Sequence, residues 1–300
     1  MNQKFPPTAS PYPSVQRFDQ TRVRRAFDRA AESYEQYAVL QHEVCKRLQE
    51  KLDVVKIKPQ MILDAGVGTG TALPGLFDRY KKAQLVALDL SENMLQQSRR
   101  QGRFLRSPHL VCADIEQLPF ADNTFELIFS SLSMQWCNDL NAVLLEVKRV
   151  LKPGGLFVFS TFGPDTLKEL RHSWATVDEK HHVNQFIDMH DIGDALLNDG
   201  FAEPVMEAEI LTVTYSSVEE IMHDLKAIGA NVTAEQPLKE QAAKGLSARS
   251  VLQSVRLSYE QFRQHGVLPA SYEVIYGHAW KASAEKMNKA AGQHFVDFTR

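Results

Sequence analysis

The 300-residue chain carries 34 basic and 37 acidic side chains, a net charge of −3, and 44% apolar residues, enough to bury the core of one enlarged α/β domain. No basic run offers a nucleic-acid footprint, and no stretch of about 18 apolar residues offers a transmembrane helix; a cytoplasmic monomer that binds neither nucleic acid nor membrane is expected. The three cysteines, Cys45, Cys112 and Cys137, are far apart with no C-x-x-C, and the ten histidines form no H-x-x-x-H pair, so neither disulfides nor a metal is expected.

In chain order, residues 1–20 read as a disordered tail rich in proline (Pro6, Pro7, Pro11, Pro13), ahead of a single domain over 21–300. The basic residues Arg17, Arg22, Arg24, Arg25 and Arg29 are interrupted by Asp19 and Asp28, unlike a transit peptide. Phe27, Ala30, Ala31, Tyr34, Tyr37, Leu40, Val44 and Leu48 recur at three- and four-residue steps, predicting a helix over 22–52. Tyr34 and Tyr37 on it either pack on the domain or face a ligand cleft.

The run Ile62-Leu63-Asp64-Ala65-Gly66-Val67-Gly68-Thr69-Gly70 reads as a buried strand, a tight turn and a helix start. A dinucleotide fingerprint would place its third glycine on Thr71. The third glycine is instead Gly70, giving D-x-G-x-G-x-G, the pattern seen in S-adenosylmethionine (SAM) methyltransferases. Asp89 closes a second apolar run 19 residues beyond Gly70, where such folds place the carboxylate that accepts both ribose hydroxyls; as a helix-capping residue it would need no ligand. Asp114 ends a third run, suited to the adenine amino group, with Ile115 packing on the ring.

Strands are expected at 61–65, 84–89, 109–113, 125–130 and 156–162, with a helix over 139–151 and a tight turn at Pro153-Gly154-Gly155. Alternation of this kind predicts a doubly wound sheet. Its ligands sit at the carboxyl ends of the strands, which brings Ser130, Gln135 and Trp136 toward the site; Trp136 reads equally well as a core anchor. Beyond strand five come helices at 165–176 and 189–199, a strand at 205–215, a helical insertion over about 217–265 and a last strand at 272–280. The insertion is placed as a lid that sets substrate choice.

The chain resembles the malonyl-[acyl-carrier protein] O-methyltransferases of biotin synthesis. The likeness is carried by Ala26-Phe27-Asp28-Arg29-Ala30-Ala31, Tyr34-Glu35, the loop 63–70, Leu88-Asp89-Leu90-Ser91 and Asp114-Ile115-Glu116. It continues through Gln135-Trp136-Cys137, Leu167 to Leu170, Val177-Asp178-Glu179, His182-Val183-Asn184-Gln185-Phe186 and Leu225 to Ala230. The first loop and the two aspartates identify only the cofactor; 167–230 is the specific part. The resemblance implies a class I SAM-methyltransferase (Rossmann-like) α/β fold, mostly parallel with an antiparallel last strand and a helical lid insertion. It implies SAM held by Asp64, Ala65, Gly66, Gly68, Gly70, Asp89, Leu90, Met94, Asp114, Ile115, Ser130 and Gln135. Tyr34, Tyr37, Trp136, Asn184, Phe186 and Lys226 are the candidates for the substrate pocket and lid.

The implied reaction methylates the free carboxylate of malonyl thioester on acyl carrier protein, the ester that starts pimeloyl synthesis. Such a carboxylate is already ionised, so no general base is required. Arg171 is the candidate for clamping it in two-point fashion, or else a solvated helix-surface arginine. Three other readings compete: a ubiquinone-type C-methylase, a complex I assembly factor of the arginine-modifying type, and a non-catalytic SAM-fold scaffold.

Overall fold

A computed structural model describes residues 17–103, 105–230, 232–233 and 245–283, without the side chains of 245–249. Most of the expected proline-rich tail and part of the insertion lie outside the described residues. The helices are α1 (Gln20–Ala30), α2 (Tyr34–Tyr37), α3 (Val39–Lys51), α4 (Leu73–Arg79), α5 (Glu92–Ser98), α6 (Leu140–Val150), α7 (Lys168–Ala175), α8 (Met189–Asn198), α9 (Val218–Ala227) and α10 (Gly245–Tyr259). The strands are β1 (Met61–Ala65), β2 (Gln84–Asp89), β3 (His109–Cys112), β4 (Phe125–Ser131), β5 (Leu151–Phe162), β6 (Phe201–Tyr215) and β7 (Leu268–Lys281).

They form one seven-stranded sheet in the order β3-β2-β1-β4-β5-β7-β6. Strands β1 to β5 pair in parallel, while β7 is antiparallel to both β5 and β6. Successive residues of a strand point to opposite faces, and the core divides accordingly. Ile62, Leu85, Ala87, Leu127 and Phe129 join one buried cluster with residues of α3, α4 and α7. Their neighbours Leu63, Val86, Leu88 and Ile128 join a second with α6 and α8. Covered on both faces, the central strands read as continuous apolar runs.

Helix starts follow from capping side chains. Asp19 accepts from the Thr21 and Arg22 amides at 3.0 and 3.4 Å, Ser91 from Met94 N at 3.1 Å, and Asp139 from Asn141 N at 2.9 Å. Behind β5, the buried Glu169 of α7 accepts from Ser271 N at 3.1 Å and Ser271 Oγ at 2.5 Å, fastening α7 to β7.

Several boundaries differ from expectation. The single helix expected over 22–52 is three, broken at residues 31–33 and at Ala38 (φ −83°, ψ 32°). A straight helix could not both pack α1 on α5 and lay Val44 and Leu48 into the sheet core. Pro153-Gly154-Gly155 lies inside β5, where the register against β4 shifts between Phe125 and Leu127, so it is a bulge. Strand β6 begins at Phe201, with an irregularity between Ala202 and Val205, and β7 begins at Leu268. Among the described residues no helix is long and apolar enough to cross a membrane, and no group of His, Cys, Asp or Glu could hold a metal.

Candidate active site

Strand order reverses between β1 and β4, and a cleft opens there at the carboxyl ends of the strands. The loop after β1 forms its floor. Gly66 and Val67 donate their amides to Leu88 O at 2.8 and 2.9 Å, pinning the loop to β2. Gly66 takes φ +80°, and a Cβ there would lie 2.2 Å from Ser133 Cβ, so no larger residue fits. Gly68, at φ +53°, has nothing within 4 Å of its ideal Cβ position; its bare backbone faces the open cleft.

Three carboxylates meet this space. Asp89 accepts from Gly68 N at 2.9 Å and Ser91 N at 2.8 Å. Burial pushes it up to about 6, against the pull of those amides. Asp64 is 2% exposed, and its Oδ2 has no hydrogen-bond partner among the described residues. Burial first, then the charge of Asp89, push it up to about 8. Asp114 accepts from Glu116 N at 2.9 Å and lines the cleft with Ile115, Leu90 and Met94.

Helix α1 covers the cleft. Phe18 and Phe27 pack on Trp136 with ring centroids 5.6 and 5.3 Å apart. Phe18 N donates to Asn138 Oδ1 at 2.6 Å, and Gln20 Nε2 donates to Trp136 O at 3.1 Å. Ser91 Oγ donates to Asp28 Oδ1 at 2.6 Å. The apolar residues of this cover form small clusters of their own, Phe18 with Val23, Ala26 and Val232, and Ala30 with Ala31 and Met94.

A second chamber adjoins the first and shares Phe27, Tyr34, Gln41, Leu132 and Trp136 with it. Its far walls come from β5 and β7 (Phe162, Tyr272), α7 (Leu170, Trp174), the segment Val183, Asn184 and Phe186, and the inner face of α9 (Met222, Leu225). At the junction, burial raises the Tyr34 phenol above its ordinary range, so it stays a hydrogen-bond donor. Gln135 is held in place as its Nε2 donates to Leu132 O at 2.7 Å. His182 Nε2 lies 2.9 and 3.0 Å from the Asp178 oxygens, and its ring stacks on Trp174 at 3.7 Å. Asn184 Nδ2 donates to Val232 O at 3.0 Å, while its buried Oδ1 has no partner among the described residues.

The sequence-derived candidates divide between these spaces and others. Asp64, Gly66, Gly68, Asp89, Leu90, Met94, Asp114 and Ile115 line the first cleft. Gln135, Asn184 and Phe186 line the second chamber, and Tyr34 and Trp136 line both. Ala65, Gly70 and Ser130 line neither. Ala65 O and Ser130 Oγ instead bond Ser133 Oγ, at 3.1 and 2.7 Å, supporting the wall from behind.

Of the cofactor candidates, Ala65, Gly70, Ser130 and Gln135 are not in the lining of the first cleft, and three acceptor candidates line neither space. The Arg171 guanidinium donates to Pro164 O at 2.8 Å and Thr166 O at 2.9 Å, so it braces the turn before α7 and lines neither space. Tyr37 packs edge-on against His223 at 5.1 Å. With Lys226 it lines a shallow surface depression on the outer side of α9. Sequence reasoning also missed Gln20, Gln41, Cys45 and Ser133 in the first cleft and His182 in the second. The apolar periodicity that located the helices carries no record of where their polar faces converge.

The first cleft fits SAM on the structure's own terms. Asp64 Oδ2 is a buried oxygen without a donor among the described residues, Gly68 leaves backbone exposed for close approach, and the Asp89 carboxylate lines the cleft beside them.

A family model described as a methyltransferase domain matches residues 63–159. The malonyl-[acyl-carrier protein] O-methyltransferase of Laribacter hongkongensis is 49% identical over 290 residues, covering 93% of this chain and 96% of that protein. A Bacillus halodurans protein solved as a candidate methyltransferase superposes with a TM-score of 0.55 at 20% identity, covering 80% of this chain and 99% of that one. Phosphoethanolamine N-methyltransferase 2 of Haemonchus contortus, solved with S-adenosyl-L-methionine, gives a TM-score of 0.50 at 17% identity over 85% of this chain and 57% of that one. The two solved structures share the fold.

Proposed function

The chain belongs to the malonyl-[acyl-carrier protein] O-methyltransferase family, and from that premise we propose that it methylates the free carboxylate of malonyl-[acyl-carrier protein] with SAM as donor. The product ester would start the pimeloyl chain of biotin. The observation that carries this reading is where the kinship lies. The methyltransferase-domain match ends at residue 159, whereas identity to the Laribacter enzyme spans 93% of the chain. It therefore takes in the segment 162–233 that walls the second chamber.

SAM supplies a methyl group already activated by its own sulfonium, so the hard chemistry belongs to the cofactor. The protein binds, orients and excludes water. Asp89 would take the ribose hydroxyls, Asp114 the adenine amino group, and Leu90 and Ile115 the faces of the ring. In the second chamber the acceptor needs no base, because its carboxylate is ionised at neutral pH. Tyr34 O–H and the Gln41 amide, at the junction of the two spaces, would hold that carboxylate with neutral donors. Neutral donors suit a reaction in which donor and acceptor charges disappear together in a dry site. Fixed orientation of the reacting atoms can contribute several kcal/mol.

No feature of either space favours the C-methylase, the arginine-modifying or the scaffold reading. The direct test is mass spectrometry of malonyl-carrier protein incubated with SAM and the enzyme. An added methyl that ester hydrolysis removes supports the proposal; an unmodified carrier, with SAM bound to the enzyme, overturns it. Failure to relieve biotin dependence in a bacterium lacking its own enzyme would also count against it.

A further inference from the structure

Asn184 is 8% exposed and lines the second chamber. Its orientation follows from its partner. Val232 O, 3.0 Å away, is a carbonyl and can only accept, so the group facing it is the NH2. The other atom, Oδ1, is therefore an acceptor, and it is buried with no donor among the described residues. A buried carbonyl oxygen left unpaired is costly, and the ligand that relieves it must bring a donor, an N–H or an O–H. A carboxylate cannot do this, since it too only accepts. Phe162, Val183, Phe186 and Leu225 give the chamber apolar walls, interrupted by Thr166, His182 and Thr233, and suit a slender uncharged chain.

We propose that the second chamber holds the thioester arm that carries the malonyl group, and that Asn184 Oδ1 accepts a hydrogen bond from a secondary amide N–H of that arm. The inference rests on the malonyl-thioester reading and deepens it. The carboxylate sits at the Tyr34–Gln41 junction, and the arm runs past Asn184. Asn184 thereby becomes a specificity residue that separates amide-bearing thioesters from free malonate and from simple alkyl thioesters. A site built around a substrate N–H discriminates strongly against the analogue that lacks it.

The test compares two acceptors that differ in one group: the malonyl thioester of N-acetylcysteamine, and its counterpart in which an ester oxygen replaces the amide N–H. For the wild-type enzyme kcat/KM should favour the amide by about tenfold or more, the scale of one buried hydrogen bond. In Asn184→Leu that preference should fall to about twofold or less, chiefly through KM, while calorimetry still registers SAM binding, showing that the chain has folded. Equal use of the two thioesters by the wild-type enzyme overturns the inference without touching the malonyl reading. A preference that survives in Asn184→Leu overturns it as well. Methylation of neither thioester nor of malonyl-carrier protein, by enzyme that binds SAM, overturns both.

Discussion

In the cofactor cleft the ligand-facing groups sit at the ends of β1, β2 and β3 or on the glycine loop, and backbone amides hold their carboxylates in place. In the second chamber the walls include side chains of α7, α9 and the segment 183–186, and α7 is tied to β7 through Glu169 and Ser271 as well as through the core. The first space combines the bare backbone of the glycine loop with carboxylates at strand ends. The second is made of side chains, and its shape can be altered one residue at a time. On the proposed reading, the strand ends would fix the donor and the later helices would select what receives the methyl.

The comparison can be tested at each space. The largest effect is expected at Asp89. Asp89→Ala removes a charge-assisted pair worth roughly 1.5–3 kcal/mol, and calorimetry should show SAM affinity reduced at least tenfold. Unchanged affinity would remove Asp89 from the ribose role. Next comes Tyr34→Phe, which should lower kcat/KM for malonyl thioesters about tenfold and change SAM affinity by about twofold or less. Equal loss of both would place Tyr34 with the cofactor instead.

Acidity offers a third approach. With Asp89 pushed up to about 6, SAM affinity should fall as pH drops below about 6, where the carboxylate is lost. Asp64 has the opposite consequence for stability. Its pKa is raised from 3.8 to about 8, so the folded chain holds a proton the unfolded chain has released. That stability is fully present below about 4 and is lost as pH rises toward 8. Asp64→Asn, which cannot ionise, should make the ligand-free protein more stable at pH 8 by at least ~1 kcal/mol, with a flatter pH dependence in denaturant titrations. A steeper one would contradict the assignment. The smallest effect on catalysis is expected from Arg171→Ala. It should cost about 1 kcal/mol of stability, through bonds to Pro164 O and Thr166 O, and leave the acceptor KM within about twofold. A tenfold rise in KM would return Arg171 to the substrate.

The same division governs what could be read from the sequence. Strands β1 to β4 fell within a residue of expectation because a central parallel strand is an uninterrupted apolar run, and Asp64, Asp89 and Asp114 were found because each ends one. The acceptor chamber was harder. Arg171 carries the right chemistry for a carboxylate, but sequence does not say that its guanidinium meets two carbonyls first. Tyr34 and Tyr37, three residues apart on the short α2, could not be separated by spacing; one lines the cleft and the other packs on His223. The irregular start of β6, with Glu203 at φ +53°, follows from pairing with β7, a contact some seventy residues away in the chain.

Helix α1, which covers the cofactor cleft, belongs to neither of the two large cores and rests on small clusters of its own. An element with so little shared apolar burial opens at a fraction of the cost of global unfolding. Its amides should therefore exchange with deuterium well before those of β1 and β4.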